Sequence, residues 1–142
     1  TGQEPWVLVG EATALTAHAY HADASDDAYG RALFGACRER ALRLLTDGEQ
    51  QLDFPVAGVV LFGLGAWALL RHAARADDAV ALLAFAERFA YSRVIPTLSW
   101  ERIVPEAEHR APGRLAALHT AFGDRRPREL VGEARELVAR LP

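Results

Sequence analysis

The chain contains no lysine, no asparagine and no methionine, and only one cysteine, Cys37, in 142 residues. Without lysine there is no Schiff base and no phosphate-binding P-loop lysine. All 16 basic residues are arginine. One cysteine excludes an internal disulfide and fits a reducing, cytoplasmic compartment. Missing methionine means that Thr1 is not a translated start, so a fragment of a longer protein is expected. No basic stretch followed by an apolar one marks a signal peptide near Thr1. Lysine and asparagine codons are AT-rich, so their absence beside abundant Ala, Arg and Gly points to a GC-rich bacterial genome. Strand patterns are also lacking, because β-branched residues nowhere alternate with polar ones over a useful length. The net charge of −3 and pI near 5.9 argue against a nucleic-acid partner. No motif with a specific chemical meaning appears, so no cofactor and no catalytic residue are expected.

What the chain does have is Ala, Leu, Arg and Glu in long runs, the composition of helices. Seven are expected, at about Trp6–His21, Asp26–Leu45, Pro55–Ala73, Asp77–Tyr91, Ser99–Glu108, Pro112–Phe122 and Pro127–Leu141. Gly48 is placed to end the second in a left-handed conformation. The fold class is all-α, in one domain. Short first and third connections imply stacked antiparallel hairpins over 6–46, 55–91 and 98–122, with 127–141 as a capping helix.

A weak repeat fits this picture. The octet from His21 to Ala28 matches that from His72 to Ala79 at five positions, at an offset of 51. Each copy reads as a histidine closing one helix and aspartates opening the next.

The stretch 54–70 is 17 residues without a charge. That is the lower limit for a bilayer span. A second apolar run, 79–86, follows a charged turn, so a buried core hairpin is the better reading and no membrane is expected. Gly58, Gly63, Gly65, Ala66 and Ala68 would let neighbouring helices approach closely. The second helix is amphipathic, with Tyr29, Leu33, Cys37, Leu44 and Leu45 inward and Arg31, Arg38, Glu39, Arg40 and Arg43 in solvent. The first helix carries only Glu11 as a charge, which suggests cover by a preceding segment or a homodimer through that helix.

Hairpins with small residues in the seam resemble the tetratricopeptide-like α-solenoids over Trp6 to Phe122, by architecture and not by that family's consensus residues. The resemblance implies a partner- or ligand-sensing region of a bacterial transcriptional regulator or signalling ATPase.

Four groups are candidate sites. Phe89, Tyr91, Arg93, Trp100, Glu101 and Arg102 surround the longest late loop and combine the aromatic and arginine chemistry of interface hot spots. The bland alternative is that the aromatics seal two hairpins and Arg93 pairs with Glu101. Glu11, His18 and His21 share a stripe, but a metal needs converging ligands from more than one helix. Cys37 sits mid-helix on the apolar side, where a thiol is inert. Arg125, Arg126 and Arg128 form the one basic cluster, diluted by Glu129, Glu133 and Glu136. The leading expectation is therefore a non-catalytic protein-interaction or sensor module. The alternative is a small-ligand-binding helical bundle, or an enzyme using Glu/His groups.

Overall fold

A computed structural model describes residues 5–21, 23, 27–47 and 51–142. Among them all regular structure is helical: α1 Pro5–His21, α2 Asp27–Asp47, α3 Phe54–Leu70, α4 Ala76–Arg88, α5 Trp100–Arg110, α6 Arg114–Phe122 and α7 Pro127–Ala139. Gly48, the expected end of α2, lies outside the described residues.

α3 is the central rod. Asp53 caps it by accepting from the Val56 N–H at 3.2 Å, and Pro55 pre-sets its first turn. Every residue from Ala57 to Leu69 is buried. The charge-free stretch is thus core, and no helix among the described residues is long and apolar enough to cross a membrane. α3 packs mainly against α1 and α4, with α2 and α5 touching it less. Small residues make those approaches possible. A Cβ on Gly63 would lie 2.9 Å from the Ala12 carbonyl of α1, and one on Gly65 would lie 2.9 Å from Leu83 of α4. Among the largest fully buried side chains are Trp67 and Phe62, both on α3. Truncating either to alanine would cost about 3–5 kcal/mol.

α7 does not stay beside its neighbour in sequence. It packs against α2 and α4, and Leu130, Val131, Ala134, Leu137 and Val138 are buried there. Two arginines tie it to α2. Arg38 donates to the Ala139 carbonyl at 2.8 Å, and Arg135 donates to the Leu45 carbonyl at 3.2 Å. The pairings 38 with 139 and 45 with 135 make the two helices antiparallel. Arg38 is therefore engaged and not solvated as expected. So is Arg40, whose Nε lies 3.1 Å from Glu11 on α1. Tyr29, expected inside, is 59% exposed and lies beside the His18 ring, centroids 4.8 Å apart.

The repeated octet does not occupy equivalent places. His21 is the last residue of α1, whereas α3 ends at Leu70 and His72 lies beyond it. Helix boundaries are related by 49 positions (His21 to Leu70, Asp27 to Ala76), two fewer than the sequence identities. His72 takes φ +55° in the α3–α4 turn, and its ring meets Arg110 instead of closing a helix. Residues 22 and 24–26 of the first octet lie outside the described residues.

Candidate functional site

The turn after α4 builds the main site. Phe89 is the C-cap, and Ala90 reverses the chain in a left-handed conformation, φ +60°. The Ala90 N–H donates to the Glu87 carbonyl and the Tyr91 N–H to that of Ala86, at 2.9 and 3.1 Å. These bonds satisfy two end carbonyls of the helix and throw Tyr91 back onto α3. Its ring lies 4.8 Å from Phe62 and 6.2 Å from Trp100, centroid to centroid. Glycine at 58 makes room, since a Cβ there would lie 3.0 Å from the Tyr91 Cβ. Ser99 opens α5 by accepting from the Arg102 N–H at 3.2 Å, which fixes Trp100 at the first helical position.

Arg93 crosses this frame. Its guanidinium stacks over Tyr91 at 5.1 Å and over Trp100 at 5.6 Å, while half its side chain stays in solvent. Its Nη2 lies 3.5 Å from Glu87, not from Glu101 as the alternative supposed. Glu87 also meets His119 Nε2 on α6 at 2.5 Å. The result is a cleft of about 220 Å³ walled by Tyr91, Arg93, Ile95, Leu98, Trp100 and Glu101. Val94, at the loop tip beside it, is 86% exposed.

One polar atom in this region lacks a partner. Tyr91 is 2% exposed, and its hydroxyl is buried without a hydrogen bond. Burial pushes that hydroxyl up to about 12, against the opposite pull of Arg93.

The six expected residues thus divide. Tyr91, Arg93, Trp100 and Glu101 line the cleft. Phe89 is 1% exposed and packs edge-on against Phe54 at 5.2 Å, so it supports the turn from within. Arg102 faces away, 3.8 Å above the Tyr20 ring of α1.

The other candidates are accounted for locally. Glu11 is held by Arg40 and His18 by the Tyr29 ring. They do not converge with His21, and among the described residues no three His, Cys, Asp or Glu side chains are grouped to hold a metal. Cys37 is buried, and that burial raises its thiol to about 12. Arg125 pairs with Glu133, and its carbonyl accepts from Arg88. Comparisons with protein-family models, with curated proteins and with solved structures found no match to this chain.

Proposed function

We propose that the domain is a non-catalytic protein-interaction or sensor module of a bacterial regulatory protein, built on tetratricopeptide-like stacked hairpins, and that the α4–α5 loop presents its binding cleft. The observation that supports this reading is the Arg93 guanidinium stacked on Tyr91 and Trp100 beside a buried, unpartnered Tyr91 hydroxyl. Arginine and aromatic side chains held rigidly at a cleft are what binding hot spots use. The solvent-exposed half of Arg93 offers charge-assisted donors to an acceptor group in the cleft. The partner is a peptide segment with a small apolar side chain and an acceptor group next to it.

Selection of a random peptide library on the purified chain tests this. One enriched motif is expected, lost with Arg93→Ala and with Trp100→Ala and kept with Arg126→Ala. No enriched motif, or one bound equally by all variants, overturns the reading.

A second reading concerns α1, where Trp6 is 71% and Val7 40% exposed on a helix with one charge. We propose self-association through this face. Sedimentation should give a dimer that Trp6→Glu converts to monomer; a monomeric parent chain overturns it.

A further inference from the structure

A second cavity, of about 450 Å³, opens between the α3–α4 turn and the end of α5. Leu69, Ala74 and Ala76 give it apolar lining, and its polar lining is His72, His109 and Arg110. The three basic residues come from two segments that only the fold brings together. His72 reaches the cavity from a left-handed backbone position, φ +55°, which is uncommon for a residue with a side chain. That position sets its ring against Arg110, whose Nη1 lies 2.7 Å from Nε2 and 3.2 Å from Nδ1. Arg110 is steadied from behind by Glu106, 3.6 Å from its Nε. Its guanidinium thus lies at the cavity wall between the His72 ring and Glu106.

The charge balance of the wall is the unusual part. The chain has 19 acidic residues against 16 arginines, yet no carboxylate lines this cavity. Several neighbouring carboxylates are occupied, Glu106 on Arg110 itself among them. Glu108 accepts from the Gly113 N–H at 3.0 Å, Asp78 pairs with Arg140 at 3.2 Å, and Asp27, beyond His72, pairs with Arg71 at 3.4 Å. The imidazole accepts from the guanidinium, which ties α5 to the α3–α4 turn and sets Arg110 at the cavity wall.

We propose that this cavity binds a small molecule through a doubly charged oxyanion of the phosphate-monoester class. Arg110 supplies a planar pair of donors, which suits phosphate oxygens. His109 adds a ring nitrogen, His72 accepts from Arg110 and positions it, and Leu69 with the two alanines takes the apolar body. The volume is within the range of about 300–1,000 Å³ usual for small-ligand sites. This site is separate from the cleft at Arg93 and does not depend on it.

The test uses inorganic phosphate and phenyl phosphate as probes, with amide and imidazole NMR shifts read on the whole chain at constant ionic strength. Saturable shifts are expected around residues 69–76 and 106–111, with phenyl phosphate binding more tightly than phosphate. Arg110→Gln should weaken binding about tenfold or more, the loss of at least one charge-assisted hydrogen bond. His109→Gln, at an exposed position that the fold does not need, should weaken it several-fold. Non-saturating shifts, shifts reproduced by chloride, or affinity unchanged in both variants would overturn the proposal. Phenylacetate binding as tightly as phenyl phosphate would also overturn it, by showing a site for a single carboxylate.

Discussion

Gly30 of α2 lies flat against the outer edge of the Trp67 indole, so close that a single methyl group on residue 30 would overlap ring atoms Cη2, Cζ3 and Cζ2. Trp67 is 1% exposed and has nowhere to retreat. Gly→Ala inside an exposed helix usually stabilises by up to about 1 kcal/mol. Here the sign reverses. Gly30→Ala is expected to destabilise by about 1–3 kcal/mol through overpacking. Gly35→Ala, five positions along the same helix with open space at its Cβ, should stabilise by about 0.5–1 kcal/mol. Urea unfolding of both variants checks the pair. Equal effects would show that the indole contact is unimportant.

Arg88 anchors the α6–α7 turn. It donates to the Arg125 carbonyl at 2.8 Å and to the Gly123 carbonyl at 3.1 Å, and stacks over Phe122. Two charge-assisted bonds from one fork cannot be copied by a single ammonium. Arg88→Ala and Arg88→Lys should each lose about 1–3 kcal/mol. Amide exchange should speed up at residues 123–126. Full retention of stability in the lysine variant would contradict this.

Tyr91→Phe separates stability from binding. The hydroxyl it removes is buried and unpartnered, so the variant should be as stable as the parent or more stable by about 1 kcal/mol. It should bind the peptides selected on the parent as tightly as the parent does, because the hydroxyl has no surface open to the cleft. Chemical denaturation and peptide titration on the same sample read the two effects; a marked loss of stability would reveal a missed hydrogen bond.

Alkaline pH should weaken the fold. Cys37 and Tyr91 are both raised to about 12, from ordinary values of 9 and 10. The folded chain therefore holds these protons more tightly than the unfolded one. Their contribution to stability is complete below pH 9, and it is lost as pH rises from 9 through 12. The double variant Cys37→Ala, Tyr91→Phe should show a flatter stability curve over that range. Alkylation of Cys37 at pH 8 should be slow in the folded chain and fast in urea, because burial keeps it in the thiol form and out of reach of the reagent.

The central hairpin was legible because hydrophobicity writes itself locally. Seventeen residues without charge, followed by Asp77 and Asp78, had to be a buried helix and the start of another. Helix ends were less legible. α3 stops at Leu70 and α4 at Arg88, each three residues earlier than expected. Both are followed by a left-handed residue that is not glycine, His72 and Ala90, and neither announces such a turn. At the cleft, aromatic composition located the region. It could not show that Phe89 faces the core or that Arg102 serves Tyr20, since adjacent turns decide those directions. The contact of His72 with Arg110 joins positions 38 apart and has no local signature.

The return of α7 onto α2 has a consequence for biosynthesis. Residues near 38 and 45 find their seat only when those near 135 and 139 exist. As the chain is made, the outer flank of α2 stays bare of that partner until almost the whole domain has emerged. α1, α3 and α4 can assemble earlier, around their own seam. Until α7 is available the first half of the domain therefore waits for its final brace, and that interval is when a chaperone would have most reason to hold it.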